Sequence, residues 1–138
     1  MALRQEGKRA AVWFFAGAGA YPVIEVIWRG HSHWSMALAG GACTVLLLYF
    51  NRLFYGAPRL LRALACGFLI CLVEFIFGII FNIFFGLAVW DYSALPYHLM
   101  GQVCLRYFLL WCDLSFLLTF LFDLACPLAK KENEGASV

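Results

Sequence analysis

Four apolar runs, each about as long as a bilayer is thick, leave this 138-residue chain few ways to fold. A helix needs ~20 mostly apolar residues to cross the hydrocarbon. Residues 10–28, 35–53, 61–88 and 101–125 each supply such a stretch. The connections between them, 29–34, 54–60 and 89–100, are short, which makes consecutive helices antiparallel neighbours. The expected fold is all-α: an integral membrane four-helix bundle of up-down topology. Residues 1–9 form a cytoplasmic segment, 10–125 the transmembrane domain and 126–138 a cytoplasmic tail.

Composition points the same way. The chain is 64% hydrophobic and 13% charged, with a mean hydropathy of +0.84. A soluble domain carries about a quarter charged residues. The net charge of +2 is scattered, so nucleic acid is not an expected partner. Six cysteines lie in or at the ends of apolar runs with no CxxC pair, and read as small packing residues instead of ligands or bridges. The start, "MALRQEGKR" before "AAVWFFAGAGA", has the outline of a signal peptide. Cleavage after Ala20 would destroy the first helix, so the segment is read as a retained span.

Lys and Arg set the orientation. Eight of the ten, Arg4, Lys8, Arg9, Arg52, Arg59, Arg62, Lys130 and Lys131, fall on one side. Arg29 and Arg106 fall on the other. Both termini are therefore expected in the cytoplasm of a bacterial cell, with "WRGHSHW" (28–34) and "WDYSALPYH" (90–98) sharing the outer face. Trp28, Trp34, Trp90, Tyr92 and Tyr97 stand where an aromatic belt belongs, and Gly30 permits a tight reversal.

Polar residues within the spans recur at helical spacing. Gly67, Cys71, Glu74, Gly78 and Asn82 form one stripe on the third run. Gln102, Arg106 and Asp113 fall within ~40° of one another on the fourth. Gly40, Thr44 and Asn51 align on the second, and Gly17, Tyr21 and Glu25 more loosely on the first. Ionisable groups at membrane depth usually face the bundle interior. This predicts an upper layer in which Glu25 pairs with Arg106 near Asn82, beneath His31, His33 and Asp91. It also predicts a deeper layer in which Glu74 and Asp113 lie close together near the midplane. Pro22 is expected to bend the first helix beside Glu25.

No catalytic constellation is present: there is no G-x-S-x-G, H-E-x-x-H or phosphate loop. His31 and His33 lack a third ligand of evident geometry, so no metal is assigned. No enzyme activity and no cofactor is expected. The candidate substrate- or ion-binding residues are Glu25, Arg29, His33, Glu74, Asn82, Asp91, Gln102, Arg106 and Asp113.

Three stretches, "YPVIEVIWRGHSHWSM" (21–36), "CGFLICLVEFIFGII" (66–80) and "WDYSALPYHLMGQVCLRYFLLW" (90–111), resemble the ABC-transporter type IV (CmpB-like) family of small bacterial membrane proteins. The run WDYS-x-x-P-x-x-x-x-G-Q is its specific part. The resemblance marks Glu25, Arg29, His33, Trp34, Glu74, Trp90, Asp91, Tyr92, Ser93, Pro96, Gly101 and Gln102, with His98 standing where Asn is expected. It implies a permease-like transport component with an outward-facing polar site, and a separate ATPase or other membrane subunit as partner, since this sequence has no Walker A motif. Four spans enclose little volume, so a homodimer is expected if the chain forms a pathway. The rival reading is a non-transporting partner or sensor subunit that binds another protein through its outer loops.

Overall fold

In the computed structural model, four helices account for nearly all of the chain; the structure describes the backbone of residues 2–135 and side chains over 4–124. Helix α1 is Ala2–Arg29, α2 Trp34–Leu53, α3 Arg59–Phe77 and α4 Leu105–Gly135. Each is long and apolar enough to cross a membrane, with α3 lengthened to Phe84 by a π-helical segment, Gly78–Phe84. The side chains of Cys126, Lys130 and Lys131 lie outside the described residues.

The helices come together where small residues let backbones approach. A Cβ on Gly17 would meet the Gly40 carbonyl oxygen at 2.6 Å and the Thr44 side chain. One on Gly40 would meet Tyr21 Cβ at 2.5 Å. Nearer the other end of the same pair, Arg52 bonds Glu6 at 3.4 Å. Along α1 and α2, contacts thus run in opposite chain directions. The same holds for α3 and α4, where Gly67 abuts Cys112, Gly78 abuts Gln102, and Arg62 meets Asp123. The small-residue stripes read from the sequence on α1, α2 and α3 are these contact lines. Between the two helical hairpins lies a core of Leu47, Cys66, Ile70 and Trp111, with Tyr21, Cys43, Phe50, Cys71, Tyr107 and Leu114 packed on it. Most other large apolar side chains point outward, as a bilayer solvent requires.

Each helix end has a local cause. Gly30, at φ +80°, takes the left-handed conformation just past α1 and donates its N–H to the Val26 carbonyl at 2.8 Å. His33 caps α2: its Nδ1 accepts from the Ser35 N–H at 3.3 Å and the Ser35 hydroxyl at 2.8 Å. Pro58 precedes α3, where its missing N–H costs nothing. α1 continues through Pro22.

Two expected boundaries move. The third span ends at Phe84 and not at residue 88, and the fourth begins at Leu105 and not at 101. The outer connection is therefore longer than 89–100. It contains a minimal hairpin, β1 His98–Leu99 and β2 Val103–Cys104, paired antiparallel with His98 opposite Cys104. Tyr97, Met100 and Gly101 all have positive φ there. An apolar run read by hydropathy alone does not reveal this turn, because its residues (Leu99, Met100, Val103, Cys104) are themselves apolar.

Candidate functional site: a buried carboxylate beneath an outer polar frame

The outer frame is built on side chains that bind backbone. Asn82, in the π-helical segment, accepts from the Val89 N–H at 2.7 Å and donates to the Trp90 carbonyl at 3.0 Å and to Gln102 Oε1 at 2.8 Å. Gln102 donates to the Met100 carbonyl at 3.0 Å, and its own carbonyl accepts the Trp90 indole N–H at 2.9 Å. π-helical turns often occur at functional sites; here the segment carries the asparagine that pins the outer connection down. Asp91 is exposed and accepts the Ser93 N–H at 2.8 Å, closing a turn. That hydrogen bond holds its carboxyl below the usual carboxylate range.

The sequence places Glu25 and Arg106 in an ion pair; the structure does not. Glu25 is buried and pairs with Arg29 at 3.0 Å, one helical turn along α1. Its other oxygen accepts the Ser32 hydroxyl at 2.6 Å. Arg29 also donates to the Val89 carbonyl at 2.9 Å and to His31 Nε2 at 3.3 Å, so it joins α1 to the outer connection. Arg106 is exposed on α4. The physical reason is the α4 start: with Leu105 as its first residue, Trp111, Cys112, Ser115 and Thr119 turn inward and carry Arg106 out.

Asp113 turns out with it. The expected deep pair of Glu74 and Asp113 is absent, since Asp113 is exposed on the opposite face of α4. Glu74 itself does point inward and is only 3% exposed. Its Oε2 accepts the Trp111 indole N–H at 3.0 Å, and its Oε1 has no hydrogen-bond partner. At ~1.5 Å per residue it lies about 15 Å below Phe84. Tyr21, Cys43, Cys71 and Tyr92 lie within electrostatic reach of this carboxylate. Glu25 and Arg29 are the charged groups it feels. Tyr21 stacks on Trp111 with centroids 5.7 Å apart, and Tyr92 on Tyr107 at 4.6 Å. The arrangement is a column: Arg29, Glu25 and Ser32 at the outer end, and a single acid below among aromatic rings and thiols.

A second polar cluster, at the opposite end, escaped the sequence reading, which treated Arg62 as a loop charge. Arg62 is 3% exposed, donates to both Asp123 oxygens at 2.7 and 2.6 Å, and reaches Asn51 Oδ1 at 3.3 Å. Arg59 adds a bond to Asp123 at 3.1 Å. The signal was the i, i+3 spacing of Arg59 and Arg62, which puts both on one helix face. Trp111 was also missed. A tryptophan at mid-depth lies outside any interfacial belt, so its N–H needs an internal acceptor.

Among the described residues no group of three or more His, Cys, Asp or Glu stands together as a metal site. His33 caps a helix, and His31 meets Arg29. No curated protein and no solved structure matches the chain. One family pattern does, over residues 12–132, which takes in all four helices and the Glu25, Glu74 and Trp90–Gln102 positions. By that match the chain belongs to the family described as "Putative ABC-transporter type IV".

Proposed function

We propose that this chain is a permease-like component of a bacterial membrane transport system, with Glu74 as its intramembrane proton or cation station. The bundle is up-down, both termini are cytoplasmic, and the Arg29–Glu25–Ser32 end faces outward. The orientation rests on the distribution of Lys and Arg. The observation that carries the function is Glu74: an acid buried at membrane depth with one oxygen unpartnered. Buried polar atoms are normally satisfied, and intramembrane acids mark ion and proton pathways. Glu25 and Arg29 line the mouth, while His33, Asn82, Asp91 and Gln102 hold its rim in shape. Arg106 and Asp113 leave the pathway. Energy would come from a separate ATPase subunit, in keeping with the family's description.

Proteoliposomes with an internal pH probe test the reading. Wild-type protein should carry a proton or cation flux, and Glu74→Gln should fold normally yet lose it. A Gln variant with full flux removes Glu74 from the mechanism. Absence of flux from wild type, with co-purification of another membrane protein through the outer connection, favours the non-transporting partner subunit. Orientation is checked with a cysteine at exposed Ser93, which an impermeant thiol reagent should label from outside intact cells. Ser93 suits this better than Ser32, whose hydroxyl is bound to Glu25.

A further inference from the structure

The outward face of α4 carries a charge where lipid cannot solvate it. Asp113 is eight residues from Leu105 and eleven from Leu124, so it lies ~12 Å and ~16 Å from the two ends of the span. It is exposed, and among the described residues it is the one exposed ionisable side chain deep within a span. The other deep acid, Glu74, is buried against Trp111. An acid facing hydrocarbon is expensive, and such groups face protein or water instead.

The residues around Asp113 say what covers it. Arg106, Asp113 and Phe120 are spaced by seven, with Leu109, Leu110, Phe116 and Leu117 between them, and all are exposed. Seven residues return to within ~20° of the same direction, so these side chains form one seam. Sustained heptad spacing is the pattern of helices that supercoil in pairs, and a single polar residue at one core position of the seam sets register and copy number. In a parallel pair that position faces its own equivalent across the twofold axis, so the chemistry suited to Asp113 is a second Asp113 at the same depth. A second copy inserted in the same orientation supplies it without any other partner.

We propose that the Arg106–Asp113–Phe120 face of α4 is a homodimer interface, in which two copies pack α4 against α4 with their Asp113 side chains in hydrogen-bonding contact at mid-depth. The Arg106 pair stands at the outer end, where its guanidinium groups reach headgroups and water.

The test is the copy number of the full chain in lipid vesicles, read by single-molecule photobleaching, together with a photo-crosslinking residue at Leu117 or, as control, at Phe68 on the outward side of α3. Wild type should be dimeric at low protein density, and Leu117 should crosslink to a second copy while Phe68 does not. Asp113→Asn keeps a hydrogen-bonding pair and should remain dimeric. Asp113→Leu should remain folded by circular dichroism and shift to monomer, with crosslinking at Leu117 falling at least tenfold. Monomeric wild type overturns the proposal. So does an Asp113→Leu variant that is as dimeric as wild type, or crosslinking of Leu117 in native membranes to a different polypeptide only. None of these readouts depends on flux, so the dimer and the transport reading fail separately.

Discussion

Trp111 donates its indole N–H to Glu74 across the α3–α4 contact at 3.0 Å, and the second carboxylate oxygen of Glu74 is left without a partner. A buried acid held at one oxygen is positioned yet not fully satisfied. That combination separates Glu74 from Asn82 and Gln102, whose bonds mainly fasten backbone.

Replacing Trp111 by Phe should therefore cost stability, since it removes the sole hydrogen bond to a buried carboxyl; about 1.5–3 kcal/mol is expected. Thermal unfolding in detergent measures it. Combined with Glu74→Leu, the Trp111→Phe loss should shrink, because the acceptor is then gone. An equal loss in both backgrounds would mean that ring packing, not the hydrogen bond, is at stake.

Gly40→Ala should loosen the α1–α2 hairpin. Its methyl would meet Tyr21 Cβ at 2.5 Å and the Gly17 carbonyl oxygen at 2.7 Å. Backbone cannot yield as a side-chain tip can, so a loss of about 1–3 kcal/mol is expected. Gly19→Ala, where a Cβ meets nothing within 4 Å, should be tolerated. Comparable losses at both sites would contradict the close approach.

At the other end of the bundle, Asp123→Ala leaves the buried Arg62 guanidinium without its carboxylate. Breaking a buried pair from one side costs about 3–5 kcal/mol. The double variant Arg62→Met with Asp123→Leu should recover most of that stability. Denaturation in mixed micelles reads the three variants, and strictly additive losses would count against the pairing.

Asp91 predicts a pH dependence confined to the outer connection. The Ser93 N–H holds its carboxyl below the usual range. A depressed carboxyl contributes stability that is fully present above the unfolded value, ~3.9, and is lost as pH falls through the lower folded value. Amide exchange at Ser93 should therefore be slow at neutral pH and quicken only below about pH 4. Asp91→Asn should remove that acid step while helix signals stay unchanged.

The spans were legible because lipid imposes a length and a polarity that hydropathy reads directly. The contact lines of α1, α2 and α3 were legible because glycine and small residues at helical spacing have few uses except close approach. Glu74 was legible for the same reason, as it lies on such a line. The fourth helix was misread. Arg106 and Asp113 do share a face, but charge was taken as the mark of the interior. There the inward residues are instead Cys112, Ser115 and Thr119, small and uncharged, with Trp111 supplying the donor. The hairpin at 98–104 was not legible, because a turn made of apolar residues looks like the start of a span.

The two helical hairpins meet along a seam that polar groups fasten near each membrane surface. At the outer end Arg29 of the first hairpin holds the Val89 carbonyl beside the second. At the inner end Asn51 of the first accepts from Arg62 of the second. A joint latched once at each edge can open at one edge by pivoting on the other. Release of Arg29 would part the outer side and release of Arg62 the inner. Glu74 lies between the two latches, so the same carboxylate would be uncovered toward opposite compartments by two small and mutually exclusive movements.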